Sequence, residues 1–168
     1  MITSVLVANR GEIARRVFRT CRDLGIETVA VFSDADAGAP FVAEADRAVN
    51  LPGNAPSETY LRGHLVIAAA KSAGADTIHP GYGFLSENAD FARAVIDAGL
   101  VWIGPAPATI DAMGSKIRAK EIMAAAGVPI LSVSSETVTA EDYPLLVKAS
   151  AGGGGRGMRV VKRAEDLA

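Results

Sequence analysis

Short apolar runs alternate with stretches whose apolar residues recur every three or four positions, from the N-terminus to about Ile103. Ser4 to Ala8 is a continuous apolar, β-branched run, suited to a strand buried on both faces. It stops at Asn9-Arg10-Gly11, residue types that tolerate the backbone angles of a turn. Ile13, Val17, Cys21 and Leu24 then fall at helical spacing, with Arg15, Arg16, Arg19 and Arg22 on other faces. Gly25 stands where a helix commonly ends, and Glu27 to Phe32 completes a strand–helix–strand unit.

The pattern then repeats with irregular connectors. Asp34 to Pro40 reads as a loop, Arg47 to Leu51 as a short strand, and Pro52 to Pro56 as a second loop. Leu61, Leu65, Ala68, Ala69 and Ser72 predict a helix up to Gly74, followed by a strand over Asp76 to His79. Phe91, Ala92, Val95 and Ile96 predict a helix up to Gly99, and Leu100 to Ile103 the next strand. Helices alternating with short apolar strands imply a parallel sheet covered on both faces, so residues 1–105 are expected to form a doubly wound α/β domain. The prolines of Gly104-Pro105-Ala106-Pro107 mark the expected boundary, with 106–168 as the incomplete start of a second domain. Helices are expected over Ala108 to Met113 and Ser115 to Ala126, the latter closed by Gly127. Beyond Pro129 the character changes: Leu145 to Ala149 and Met158 to Val161 read as two strands joined by a glycine loop, Ser150 to Gly157, and a helix starts at Ala164.

Composition narrows the class. A hydrophobic fraction of 49% and a charged fraction of 21% describe a folded chain with a sizeable core. A net charge of −2 provides no electrostatic footprint for nucleic acid or an anionic membrane surface, so neither is an expected partner. The single cysteine, Cys21, excludes an internal disulfide and suits a reducing, cytoplasmic compartment. The apolar run from Ile2 to Ala8 is too short to span a membrane and has no basic leader.

The strongest local signal is Lys148-Ala149-Ser150-Ala151-Gly152-Gly153-Gly154-Gly155-Arg156-Gly157. Four consecutive glycines waste conformational entropy unless the backbone bends sharply or approaches a ligand closely. A row of unobstructed amides suits phosphate oxygens, and Lys148 and Arg156 add positive charge; a plain hairpin tip is the alternative. Gly152, Gly154 and Gly157 satisfy G-x-G-x-x-G, yet the dinucleotide fingerprint requires a helix next, and Met158 to Val161 reads as a strand. The P-loop requires Lys-Ser or Lys-Thr where this chain has Met158-Arg159. A glycine loop between antiparallel strands, folded over a nucleotide, is the geometry that remains. A second cluster, His79 to Asn88 (HPGYGFLSEN), begins where a parallel strand ends, the side of such sheets where ligands bind; a structural loop is the alternative. Ser86 or Asn88 could cap the next helix, and His79 reads more readily as a hydrogen-bonded structural residue than as a base. With His64 as the other histidine, a histidine metal site is not expected. Met113-Gly114-Ser115-Lys116 places a lysine at a helix N-terminus, an arrangement that favours an anion or is a solvated surface charge. Asn9-Arg10-Gly11-Glu12 reads as a tight turn whose Glu12 complements the helix dipole.

Taken together, Val7 to Ala14, His79 to Asn88, Ile103-Gly104-Pro105, Met113 to Lys116 and Lys148 to Val161 resemble, in order, the biotin carboxylase family, the ATP-dependent module of acyl-CoA, pyruvate and related carboxylases. The resemblance implies a pre-ATP-grasp domain followed by the truncated start of an ATP-grasp domain. In that family ATP and bicarbonate form carboxyphosphate, which carboxylates biotin carried on a partner domain. It implies that Lys116 and Lys148 contact ATP, that Gly152, Gly153, Gly154, Gly155, Arg156 and Gly157 form a loop closing over the phosphates, and that Tyr82 and Gly83 lie near biotin. Such a site positions and neutralises a transferring phosphoryl group rather than supplying a covalent nucleophile.

The resemblance further implies a biotin carrier domain, a carboxyltransferase partner and a homodimer. Two departures stand out. The stretch between Val133 and Leu145 is shorter than the family pattern, and the family's magnesium-binding and catalytic residues are expected beyond Ala168. No catalytic residue is therefore expected within these residues, and turnover by them alone is not. Another ATP-grasp ligase, such as a carbamoyl phosphate synthetase, and a non-catalytic nucleotide-binding or subunit-interface module are the competing readings. A dinucleotide oxidoreductase is more remote, because no G-x-G-x-x-G follows the first strand.

Overall fold

The computed structural model describes residues 1–130, 138–148 and 157–166, with the side chain of Lys116 outside the description. It comprises two compact units, Met1–Ile110 and Asp111–Ala168.

The first unit is a five-stranded parallel sheet in the order β3-β2-β1-β4-β5. Its strands are β1 (Ser4–Val7), β2 (Glu27–Ser33), β3 (Arg47–Leu51), β4 (Thr77–His79) and β5 (Val101–Trp102). Its helices are α1 (Gly11–Asp23), α2 (Pro40–Glu44), α3 (Gly63–Ala73) and α4 (Ala89–Asp97), with α5 (Pro107–Gly114) beginning at its end. All four residues of β1 are buried, as its unbroken apolar run requires of a central strand covered on both sides. Alternation along the strands sorts the core. Val5 and Val7 of β1 and Ala30 of β2 pack with Ala14, Phe18 and Cys21 of α1 and Phe41 of α2. Leu6 and Ala8 pack with Val29 and Val31, with Val66, Ala69 and Ala70 of α3, and with Phe91 and Val95 of α4. The sheet is thus doubly wound, as the alternating pattern predicts.

Details differ from the sequence expectation. Of the predicted stripe Ile13, Val17, Cys21 and Leu24, Cys21 is buried, but Ala14 and Phe18 complete the inward face of α1, Ile13 and Val17 are half-buried, and Leu24 is 68% exposed. The buried face of α3 is Val66, Ala69, Ala70 and Ala73, while Leu61 and Ala68 are exposed. Phe18 on α1 and Val66 on α3 anchor the inward faces, and the alanines beside them let the helices approach the sheet, so a stripe drawn through the other large aliphatics runs to one side. The expected loop over Asp34 to Pro40 contains a 3-10 turn, Asp34–Asp36, and leads into α2, whose five residues are too few to display a period. Pro40 at its first turn and the buried Phe41 hold it in place.

In the second unit, α5 continues to Gly114 and α6 spans Lys116–Ala125. Ser115 caps α6, its Oγ accepting from the Arg118 amide at 3.4 Å. The strands β6 (Leu145–Lys148) and β7 (Met158–Val161) pair antiparallel with Lys148 opposite Met158, as the hairpin reading predicts. A single 3-10 turn, Ala164–Asp166, stands where a helix was expected to start.

Candidate functional site

The winding order reverses at β1. The chain builds outward through β2 and β3, then crosses to the other side of β1 for β4 and β5. In doubly wound sheets the crevice beyond the carboxyl ends of the strands at such a reversal is where ligands bind. The two loops there are Ala8–Gly11, leaving β1, and Pro80–Asn88, leaving β4, and the second contains the Tyr82 and Gly83 singled out from the sequence.

Asn9 ties the two loops together. It is 4% exposed, and its Nδ2 donates to the carbonyls of Pro80 at 3.0 Å and Tyr82 at 2.7 Å. Its Oδ1 accepts from the Arg10 amide at 2.9 Å. Gly81 sits at φ +67°, where a Cβ would lie 2.6 Å from Asn9 Nδ2, so both its backbone angle and its close approach require glycine. His79 Nδ1 accepts from the Gly81 amide at 2.9 Å, which makes it the structural histidine that the sequence favours. Burial pushes its pKa below the ordinary 6.5, keeping the ring neutral and able to accept. Asn88, not Ser86, caps α4, its Oδ1 accepting from the Phe91 amide at 2.8 Å.

Beyond Gly81 the loop is wound tightly. Phe84 adopts φ +42°, a left-handed conformation that costs a non-glycine residue about 1–2 kcal/mol. Its ring stacks on Tyr60 with centroids 5.1 Å apart and planes within 3°, a contact that offsets the strain. The Arg10 guanidinium lies over both rings, 5.6 Å from the Tyr60 centroid and 5.9 Å from that of Phe84. Tyr82 itself is 60% exposed, and its hydroxyl donates to the Glu12 carboxylate in the first turn of α1. That hydrogen bond raises the Tyr82 pKa, with smaller contributions from burial and the Glu12 charge.

A cluster that the sequence reading missed lies beyond β2. The Asp36 carboxylate accepts from Tyr60 Oη at 2.6 Å, Ser33 Oγ at 3.0 Å and Arg10 at 3.0 Å. The Ser33 amide donates to Tyr60 Oη at 3.0 Å. Burial works to raise the Asp36 pKa, but these hydrogen bonds and the Arg10 charge outweigh it and hold the carboxyl below 3.8. Burial, then the bond to Asp36, push Tyr60 up to about 12. Arg10 thereby pairs with Asp36 while lying over the Tyr60 and Phe84 rings. A lone aromatic, Tyr60, within a polar stretch was the available signal for this cluster.

The phosphate-binding candidates belong to the second unit. Lys148 ends β6 and is exposed; Gly157 precedes β7 at φ +70°. Lys116 opens α6. Its side chain and residues Gly152, Gly153, Gly154, Gly155 and Arg156 lie outside the described residues. On the hairpin, Leu146, Lys148, Met158 and Val160 share one face through cross-strand pairing, and Leu146, Met158 and Val160 are 47%, 44% and 60% exposed. Val161, on the other face, is buried.

A doubly wound unit whose winding reverses at β1, followed by a unit carrying an antiparallel hairpin, is the order of parts that the resemblance implies. The chain belongs to the biotin carboxylase family: residues 1–110 match the family described as biotin carboxylase, N-terminal domain. Residues 111–168 match carbamoyl-phosphate synthase L chain, ATP binding domain. A biotin carboxylase of Halalkalibacterium halodurans is 47% identical over 99% of this chain and 39% of its own length. The biotin-dependent acyl-coenzyme A carboxylase alpha3 subunit of Mycobacterium leprae is 47% identical over 99% of this chain and 29% of its own. The biotin carboxylase domain dimer of Hydrogenobacter thermophilus 2-oxoglutarate carboxylase, solved with MgADP, ADP and bicarbonate, superposes with a TM-score of 0.89. It is 45% identical, over 99% of this chain and 39% of that one. The chain therefore spans about two-fifths or less of the length of these relatives.

Proposed function

We propose that these residues form the N-terminal part of an ATP- and bicarbonate-dependent biotin carboxylase, in which the Lys148 hairpin holds the nucleotide and the Tyr82 loop borders biotin. In the reaction ATP and bicarbonate give ADP and carboxyphosphate, and the carboxyl group then passes to a ureido nitrogen of biotin with release of phosphate. The observation that carries this reading is the family match running in order through both units, 1–110 and then 111–168.

The hairpin supports it. An exposed apolar face made by Leu146, Met158 and Val160, with Lys148 at its end, offers a surface for a planar base beside a cation for its phosphates. The glycine run of the sequence begins four residues after that lysine. Magnesium, present with ADP in the Hydrogenobacter structure, would neutralise phosphate oxygens during transfer. Among the described residues no three His, Cys, Asp or Glu side chains stand close enough together to hold a metal ion. A carrier domain, a carboxyltransferase of the acyl-CoA type and a homodimeric assembly complete the proposal, and the buried thiol of Cys21 fits a cytoplasmic setting.

The test is a titration of MgATP into the 168-residue chain, followed at individual amide resonances. Peaks of Lys148, Gly157 and Met158 are expected to move, and Lys148→Ala to weaken binding by about tenfold. The chain alone is expected to release no ADP in response to biotin. Nucleotide shifts confined to residues 1–110, or biotin-stimulated ADP release by the chain alone, would contradict the reading.

A further inference from the structure

We propose that Asn9 is a positioning residue for the ligand-facing loop: its buried amide holds the Pro80 and Tyr82 carbonyls and so fixes where the Tyr82 hydroxyl is presented. The ligand assigned to that hydroxyl rests on the reading above, but the role of Asn9 does not.

Three observations converge on it. Asn9 is buried while Tyr82, two residues beyond one of its hydrogen-bond acceptors, is 60% exposed. An inward amide and an outward phenol are therefore linked through one short segment. Both Nδ2 protons of Asn9 are used, at 3.0 Å and 2.7 Å, and its Oδ1 is engaged at 2.9 Å. An isosteric carboxylate could keep the last of these contacts and neither of the first two. The segment held is also one that does not relax into place by itself. Phe84 sits at positive φ, a strained conformation for a non-glycine residue that persists when its surroundings over-determine it, and the flanking Gly81 and Gly83 are free to adopt other angles unless held. Asn9 just after β1, His79 at the end of β4 and Tyr60 against Phe84 are those surroundings. The outcome is a hydroxyl set against Glu12 before any ligand arrives, which spares the ligand the entropy of ordering the loop.

The experiment compares the chain with Asn9→Asp by amide exchange and by tyrosine titration. In the unmodified chain both Nδ2 protons of Asn9 should exchange at least about tenfold more slowly than those of the exposed Asn54. In Asn9→Asp the Gly81 and Ser86 amides should exchange about tenfold faster while those of Val5 to Val7 keep their protection. The Tyr82 phenol, released from Glu12, should titrate closer to 10.0, a change that a purely structural role elsewhere in the core would not produce.

Rapidly exchanging Asn9 side-chain protons in the unmodified chain overturn the proposal without any variant. Uniform loss of protection across β1 and the loop also overturns it, as does an unchanged Tyr82 titration. Free biotin, titrated at the Tyr82 and Gly83 resonances, tests the other reading separately. If biotin moves neither peak while Asn9→Asp frees the loop, the assigned ligand fails and the positioning role stands. If biotin moves both peaks equally in the two proteins, the ligand stands and the positioning role fails.

Discussion

Two carboxylates staple the N-terminal ends of neighbouring strands. Asp76, just before β4, accepts from the Thr3 amide at 2.9 Å, Thr3 Oγ1 at 2.6 Å and Thr77 Oγ1 at 2.7 Å. Asp46, just before β3, accepts from the Thr28 amide at 2.8 Å and its Oγ1 at 2.6 Å. Burial works to raise Asp76, but the bonds from Thr3, Thr77 and Ser4 overcome it and bring the pKa to about 2, below the ordinary 3.8. A depressed carboxylate stabilises the fold above its unfolded pKa, and that contribution fades as pH falls from 3.8 towards 2. Asp76→Ala is expected to cost about 2 kcal/mol at neutral pH in urea unfolding, and the gap from the parent chain should narrow across that acid window. His79 behaves in the opposite chemical sense with a related sign. Its pKa is depressed because the neutral ring is preferred in the fold, so its contribution is present above 6.5 and is lost as pH falls through the folded value. Protonating Nδ1 also ends its acceptance from the Gly81 amide, so exchange at Gly81 should accelerate relative to amides of β1 as pH falls through the folded pKa, which burial sets below 6.5. Exchange that follows only the intrinsic pH dependence would contradict this.

The longer helices were legible in approximate extent, and α4 in its buried face of Phe91, Ala92 and Val95, whereas the short α2 and most of the buried face of α1 were not. The repeat of apolar residues identifies α1, yet the inward positions are Ala14, Phe18 and Cys21, with Ile13 and Val17 at the rim. Phe18→Ala should cost about 3–5 kcal/mol, while Leu24→Ala, at a 68% exposed position, should stay within about 0.5 kcal/mol. Equal losses in thermal unfolding would restore the stripe read from the sequence. The β4–α4 loop provides a second contrast. Gly81→Ala meets both a positive φ and Asn9 at 2.6 Å and should cost about 3 kcal/mol. Gly83→Ala meets a positive φ with nothing within 4 Å and should cost about 1 kcal/mol. The sequence shows that this loop is glycine-rich and begins at a strand end. It does not show that Asn9, some seventy positions earlier, is its partner, because that contact follows from β1 and β4 being neighbours. The Asp36–Tyr60–Arg10 cluster was hidden for the same reason, its members being brought together by β1 and β2 and the connector after β3.

At the scale of the whole molecule, periodicity predicts a parallel, doubly covered sheet, and the order β3-β2-β1-β4-β5 with its winding reversal confirms that class. The unbroken apolar run of β1 marks it as central and the polar residues of β3 suit an edge, but which strands flank β1 on each side is not written in local patterns. The motif order carries the family, and matches over 1–110 and 111–168 agree with it. The central claim is that these residues serve biotin carboxylation. The most direct measurement replaces the corresponding residues of the Halalkalibacterium halodurans biotin carboxylase, 39% of its length, with this chain and follows radiolabelled bicarbonate and ADP in the presence of free biotin. Label entering biotin in step with ADP release, and lost in Asn9→Asp more than in Leu24→Ala, is the result predicted. Bicarbonate-dependent ADP release without labelled biotin, from a folded chimera whose parent is active, would contradict it.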